Sequence, residues 1–477
     1  MTGKALLEKL DSGKAGTILA ALYGSAGVEA ARRRYAALVR GMLSWPEKPP
    51  ASKNAEAPVD TSAGMAPGAA AEDFRFFTAA GRTELGGNHT DHNRGKVLAA
   101  SVQLDSAAVA APRRDKTVIF RSSGYPDVVA EISPANLAPR PEEKGTTEAL
   151  VRGIAAEFAA RGVEVGGFIA NADSTVLPGS GLSSSAAVEV LFGRIFDSFY
   201  GEGKRSALEI AQIGQRAENN YFGKPSGLMD QTACATGGVV SIDFADAARP
   251  LVKRILFDPA EAGYALCVVD TRGSHADLTP DYAAIPAEMK SVARFFGKEV
   301  LREISRDELL LRGAELRQTL GDRALLRSLH FFEENRRVDA MEAALKTLET
   351  AQAGAQAGAQ KGALKTYLEL VNESGHSSWE LLQNIYSPQK VREQGIGLAL
   401  ALTREFLKTP RTNPAPEAGH LAGQPASQGA CRVHGGGFAG TIQAYIPRDL
   451  LDPYRVLMEG IFGPGAVTEL KIRATGA

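Results

Sequence analysis

The chain has 477 residues, too many for one hydrophobic core, so two domains are expected. A composition of 44% hydrophobic and 23% charged residues is that of a globular protein, and a net charge of -1 leaves no global basic field for nucleic acid or a membrane surface. Cys234, Cys267 and Cys431 lie far apart, form neither a disulfide framework nor a zinc pattern, and read as small buried hydrophobes in a reducing cytosol. The first residues lack the apolar core of a signal peptide, and no apolar run is long enough to span a bilayer.

Residues 1–45 read as helical. Ile18, Leu19, Leu22 and Tyr23 share one face of an amphipathic segment; Tyr35, Leu38, Val39 and Met42 mark a second. Arg32, Arg33 and Arg34 read as a solvated helix face rather than a phosphate patch. Residues 46–72 turn to Pro, Ala, Gly and Ser, the composition of a flexible connector or a long surface loop. Phe74, Phe76 and Phe77 open a strand that runs toward Arg82 and Glu84. Gly86 and Gly87 mark a tight turn, and Asn88, His89, Asp91, His92, Asn93 and Arg94 crowd behind it. That mixture of donors and acceptors suits a polyhydroxylated ligand. A plain polar turn capped by Asn and Asp is the alternative. His89 and His92 lack zinc-type ligand spacing.

Strands follow at 97–111 and 117–122, then a helix ending near 160 with Thr146 or Thr147 as N-cap, then a short strand at 167–170. Next comes VLPGSGLSSSAAVEV, residues 176–190. Gly179 and Gly181 let backbone approach a bulky anion, and the helix beginning behind Ser183, Ser184 and Ser185 points unpaired N–H groups at it. No Lys follows the second glycine, so this is not a Walker loop, and the glycine spacing is not that of a dinucleotide fingerprint. A Gly/Ser loop capping an ordinary helix is the alternative. The helix is expected to reach about Tyr200; another, 206–219, carries Glu218 near its end. In FGKPSGLMDQ, Gly223, Pro225 and Gly227 define a bend, and Asp230 is either a helix cap or a catalytic carboxylate. Strands are expected at 239–244 and 265–270, helices over 283–350 and 364–386, and a low-complexity loop or helix extension at 351–362. Residues 409–429 read as a loop. Gly435, Gly436 and Gly437 then precede a strand at 441–446, where backbone comes close to something or simply hinges.

Four stretches, in this order, resemble the galactokinases among the GHMP small-molecule kinases: GRTELGGNHTDHNRG, LPGSGLSSSAA, AENNYFGKPSGLMDQ and HGGGFAGT. The resemblance covers about residues 72–477 apart from the low-complexity inserts. It implies an α+β, two-lobed fold, with a ribosomal protein S5 domain 2-like N-terminal lobe and a ferredoxin-like C-terminal lobe. Each sheet would be mixed and covered by helices on one side, with the active site in the cleft. The corresponding division is a helical segment 1–45, a linker 46–72, and kinase domains 73–250 and 251–477. The implied reaction moves the γ-phosphate of ATP to the anomeric hydroxyl of galactose.

By the same resemblance, Asp230 is the base or steering carboxylate and Arg82 stabilises the transferring phosphoryl group. Gly179, Ser180, Gly181, Leu182, Ser183, Ser184 and Ser185 wrap the phosphates, and Ser185 and Glu218 hold Mg²⁺. Asn88, His89, Asp91 and Tyr282 line the sugar pocket, with Gly435–Gly437 as its floor. Most galactokinases carry Glu where this chain has Asn88, Tyr where it has His92, and Gly where it has Ala439. The H-x-D-H pattern is similar to galacturonate kinases, which makes galacturonate the second substrate to weigh. A sugar-sensing, non-catalytic relative is a third reading, and a mevalonate- or homoserine-type kinase is disfavoured by the sugar signature. A cytoplasmic monomer that binds a small sugar is expected.

Overall fold

The structure, a computed structural model, describes residues 1–45, 73–176, 179–274, 278–354, 356–408 and 429–477. The connector expected at 46–72 and all but the last residue of the loop expected at 409–429 lie outside them.

Three helices come first: α1 (Gly3–Asp11), α2 (Gly16–Tyr23) and α3 (Val28–Leu43). A sheet follows, built from β1 (Arg75–Gly86), β2 (Lys96–Pro112), β3 (Thr117–Ser122), β4 (Val128–Glu131) and β5 (Phe168–Ser174), with β6 (Val239–Asp243) and β7 (Leu251–Ile255) beyond. Its order is β4-β3-β5-β2-β6-β7, with β1 paired along β2. Only β3 and β5 run parallel; the other pairs are antiparallel. β2 takes β5 against its second half and β6 against its first, so this one long strand holds the sheet together. Between strands lie α4 (Thr147–Ala159), α5 (Ser184–Tyr200), α6 (Ala207–Ala217) and α7 (Met229–Thr236). The Thr146 hydroxyl caps α4 as expected, and Ser206 caps α6 in a reciprocal box with Glu209.

Helices cover both faces of this sheet, not one. Phe77, Val118, Phe120 and Phe168 pack against Ile154, Phe158, Phe192 and Phe196 of α4 and α5. On the opposite face Phe74, Val109, Ile119 and Ile169 pack against Leu38, Val39 and Met42 of α3 and against Trp45. The N-terminal helices are therefore part of the lobe. Their arginines divide. Arg32 pairs with Glu29 and Asp11 at the surface and Arg33 is exposed, as a solvated face requires. Arg34 instead reaches inward, 2.5 Å from Asp105 and 2.8 Å from Asp173. Asp105 is wholly buried and also holds Arg473 at 3.0 Å. A surface-type triplet thus contains one buried staple, because α3 lies flat on β2 and β5. Ile18, expected on the apolar face, is 65% exposed, while its neighbour Leu19 is buried.

The second sheet is entirely antiparallel among the described residues, against the mixed sheet expected. It runs β11-β8-β10-β9, from β8 (Tyr264–Asp270), β9 (Ala430–His434), β10 (Thr441–Pro447) and β11 (Val467–Leu470). The helices of this half are α8 (Thr279–Phe295), α9 (Arg306–Leu311), α10 (Gly313–Leu320), α11 (Asp322–Ala353), α12 (Ala357–Ser377), α13 (Gly395–Lys408) and α14 (Leu451–Phe462). The low-complexity stretch extends helices α11 and α12, one of the two outcomes expected for it. A shared core of Leu85, Leu98, Val338, Met341, Tyr367, Leu266 and Tyr445 joins the two sheets. The first sheet reaches past residue 250, since β7 is its edge. The last residues return to it as well: the Arg473 carbonyl accepts from the Gly238 N–H, and that of Gly476 from the Ala80 N–H.

Candidate active site

The expected phosphate loop leaves β5 and enters α5. Gly179, Gly181 and Ser183 all hold positive φ, 76°, 72° and 58°. Its carbonyls are tied down on one side. Gly181 accepts from Arg82 Nη1, Leu182 from the Arg82 N–H, and Ser180 from the Thr441 hydroxyl. Positive φ at alternate positions is the backbone arrangement of a nest, the kind of loop that cradles anions. The first turn of α5, from Ser184, lacks a side-chain cap, which leaves its N–H groups for an anion.

Instead of capping, the Ser183 hydroxyl donates to Asp230 Oδ2 at 2.5 Å. Asp230 sits in the first turn of α7, and Arg82, near the end of β1, forks onto it: Nε to Oδ1 at 2.7 Å and Nη2 to Oδ2 at 2.9 Å. The enclosed position alone would raise the Asp230 carboxyl; the Arg82 guanidinium outweighs that and holds it below its ordinary value. Three of the four carboxylate lone pairs are occupied, so one acceptor direction remains, on Oδ1. The sequence-expected pair and the loop thus converge on one carboxylate across 148 residues of chain.

Glu218 opens a π-helical turn, Glu218–Phe222, that follows α6. Its Oε1 lies 3.4 Å from the Ser185 hydroxyl and 2.9 Å from Lys224 Nζ; its Oε2 accepts from Gln231 Nε2 at 2.9 Å. The same amide nitrogen donates to Glu189, which is fully buried, and burial and the nearby Glu218 push that carboxyl well up. Among the described residues no group of three or more His, Cys, Asp or Glu forms a metal cage. Two hard oxygens, a hydroxyl and a carboxylate, suit an ion that takes its other ligands from phosphates and water, as Mg²⁺ does.

The polar turn after β1 meets the glycine triplet residue by residue. The Gly435 carbonyl accepts from Asn88 Nδ2 at 2.8 Å, that of Gly436 from His89 Nε2 at 3.0 Å, and that of Gly437 from the Tyr282 hydroxyl at 2.8 Å. Gly437 is at φ 82° with the Asn384 carbonyl 2.1 Å from where a Cβ would stand, so only glycine fits there. Burial holds His89 at about 4, so its ring is neutral, donates through Nε2 and keeps Nδ1 as an acceptor. Tyr282 rests edge-on against Phe438. Asp91 accepts from the His92 N–H and lies against Gly227, where a Cβ would come 1.7 Å from its Oδ2. This polar turn therefore abuts the bend that delivers Asp230.

Asn88 departs from the expectation. It is 1% exposed, and its amide is engaged inward. Nδ2 donates to Glu84 at 3.0 Å and to Gly435, and Oδ1 accepts from Asn384 at 2.8 Å. A carboxylate is present here, four residues upstream: Glu84, buried and paired with Arg432 at 2.5 Å. Both hydrogens of the amide are spent, so Asn88 supports the turn. His434 was also absent from the expected set. Thr441 donates to Ser180, so it accepts from His434 Nδ1; His434 Nε2 then accepts from Thr83, and Thr83 from Gln443. This chain of bonds fixes a neutral tautomer, and burial depresses the ring in the same sense. Glu84 and His434 lie inside or beside quoted motifs, which was the available signal. Asn384 had none.

An uncapped helix start, an arginine-clamped carboxylate and a polar turn brought side by side are the arrangement expected of a small-molecule kinase of the GHMP type. The GHMP kinases N terminal domain family matches residues 149–238, and the galactokinase galactose-binding signature matches residues 68–112. The galactokinase of Streptomyces coelicolor is 34% identical over 290 residues, 60% of this chain and 72% of that protein. That of Glaesserella parasuis is 33% identical over 58% of this chain and 70% of its own length. The chain belongs to the galactokinase family. In three dimensions it matches Lactococcus lactis galactokinase complexed with galactose, at TM-score 0.65 and 21% identity over 85% of this chain and 95% of that one. It also matches the mevalonate kinase of Methanococcus jannaschii, at TM-score 0.53 and 14% identity over 84% and 99%. Both establish the fold. Among the described residues no helix is long and apolar enough to cross a membrane.

Proposed function

We propose that the chain transfers the γ-phosphoryl group of ATP to the anomeric hydroxyl of galactose, giving galactose 1-phosphate. The observation that carries this reading is the Arg82 fork on Asp230, with the loop serine Ser183 on the same carboxylate. The anomeric hydroxyl takes the open lone pair of Oδ1. As its oxygen bonds to the γ-phosphorus and the bond to the bridging oxygen of ADP breaks, its proton passes to Asp230. A carboxylate held below its usual range is a weak base, so Asp230 first orients the hydroxyl and takes the proton late. Arg82 faces the charge that spreads over the transferring group, where phosphoryl transfer depends on placement and neutralisation.

Residues 179–185 carry the phosphates. Ser185 and Glu218 would hold Mg²⁺, which neutralises phosphate charge when bound. His89, Asp91 and Tyr282 serve the sugar, with Asn88 as their support. The kinase domains are 73–250 and 251–477, with β7 and residues 471–477 contributed to the first. The chain is taken to act as a monomer, and buried unpaired thiols support a cytosolic setting.

Galactose is favoured over galacturonate. A C6 carboxylate calls for a cation, yet among the described residues of this turn and its support Arg432 is held by Glu84, Arg94 by Glu299 and Glu303, and His89 is neutral. The presence of Arg82, Ser185, Glu218 and Asp230 together favours catalysis over sensing alone. The test is coupled ADP release with ATP, Mg²⁺ and a panel of galactose, galacturonate, glucose and mevalonate, with Asp230→Ala as control. Galactose should give the highest kcat/KM, abolished by the substitution. Equal or better turnover of the acid transfers the assignment to galacturonate; no sugar-dependent ADP from the unaltered chain leaves a binding protein.

A further inference from the structure

Lys224 lies in the bend between α6 and α7, one residue past Gly223, which adopts φ 84°. Its ammonium is 2.9 Å from Glu218 Oε1, the oxygen that also faces the Ser185 hydroxyl. This is the face of the carboxylate that the proposed function gives to the metal, so a resident cation stands where a divalent one would bind. Among the described residues Lys224 has no second carboxylate within ion-pair distance, and its side chain is 58% exposed while Glu218 is 2% exposed. One partner is fixed and the other is free to swing. Glu218 and Asp230 stand against Arg82 and Lys224, with Glu189 behind Gln231. A divalent ion arriving with a polyphosphate would compete with the ammonium for Glu218 and would bring oxyanions for the ammonium to bind.

We propose that Lys224 is a metal placeholder and phosphate ligand: it neutralises Glu218 in the free protein, yields that oxygen to the metal, and then binds a phosphate oxygen of the nucleotide. This rests on the kinase reading and on Glu218 as a metal ligand. Two consequences have opposite sign. Without the lysine, the metal alone meets no competitor and binds more tightly. The metal–nucleotide complex loses a cationic contact and binds more weakly. A purely structural lysine would move both affinities the same way or neither.

The experiment compares unaltered protein with Lys224→Met, which keeps an unbranched stem, and with Lys224→Arg. Free Mn²⁺ binding is followed by electron paramagnetic resonance, and binding of Mn²⁺ with the nonhydrolysable analogue AMPPNP by calorimetry. Expected are about a 3- to 10-fold gain in Mn²⁺ affinity and about a 5- to 20-fold loss in Mn·AMPPNP affinity for Lys224→Met. Lys224→Arg should restore the nucleotide affinity in part. Unchanged affinities, or two changes of one sign, overturn the proposal while leaving the kinase reading intact. If Glu218→Gln binds Mn²⁺ as the unaltered protein does, Glu218 is not the ligand and the proposal falls with it; the galactose assay then decides the kinase reading separately.

Discussion

Replacing Arg82 by Leu removes three bonds at once: two onto Asp230 and one onto the Gly181 carbonyl. The side chain of Arg82 is 7% exposed and that of Asp230 is 32% exposed. Each charge-assisted bond is worth about 1.5–3 kcal/mol where water is excluded. Water reaching the partly exposed Asp230 takes over the two bonds on its side, so the net loss of folding stability is about that of one such bond, about 2 kcal/mol. At about 2.1 cal/mol/K per residue, 477 residues unfolding together lose about 1 kcal/mol per degree, so Tm falls only about 2 °C. Catalysis should suffer far more, by about 10²–10³ in kcat, because a preorganised cation aimed at developing charge is gone. The pH profile adds a signature. With Arg82 present, Asp230 stays ionised to below the ordinary carboxyl range. Without it, enclosure dominates, the carboxyl rises, and the acid limb of kcat moves to higher pH. The assay is coupled ADP release across pH 4–8, beside a thermal melt. A variant within 10-fold of the unaltered kcat, with a superimposable acid limb, refutes the assigned roles of both residues.

Arg34→Ala strips one cation from the wholly buried Asp105 while Arg473 stays. It should cost about 3 kcal/mol, or roughly 3 °C in Tm, with Arg33→Ala as the unaffected control; equal melts would show that the α3 staple is idle. Gly227→Ala drives a methyl to within 1.7 Å of Asp91 Oδ2 and should raise the galactose KM about 10-fold or more with little change in that for ATP. Parallel shifts in both would mean a general loosening. His89 is held at about 4, below the usual 6.5 of the unfolded chain. The unfolded state then binds the extra proton first, so stability contributed by this ring is complete above 6.5 and drains away as pH falls toward 4. His89→Gln should remove that dependence; an unchanged difference between pH 7 and pH 4.5 counts against a neutral His89.

What could be read from the chain was local. The phosphate loop, the polar turn, Arg82 and Asp230 announce themselves because glycines and helix starts must sit beside them in sequence. So do the long strands and the capped helices α4 and α6. The inward pose of Asn88 was hidden, because its partners Asn384 and Gly435 lie 296 and 347 residues away. The buried role of Arg34 was hidden likewise: a lone arginine in a basic triplet gives no sign that Asp105 and Asp173 wait on the sheet beneath. Short strands such as β4, β7 and β11 carry too few residues for alternation to stand out. The antiparallel second sheet depended on which strands became neighbours, and no single segment encodes that.

The return of the polypeptide to its first sheet has a consequence for synthesis. Residues Thr475 and Gly476 press on Gly237 and on the end of α7, and Gly476 completes a bond to β1, 396 positions earlier. The helix bearing Asp230 therefore acquires this packing only after residues 475 and 476 have been made. Contacts of such separation form late. Nascent chains stalled before residue 470 should carry an N-terminal half that proteases still cut near residue 237, whereas chains extended beyond residue 477 by a flexible tether should resist. Docking of residues 473–476 is thus a late step for the lobe that carries Asp230.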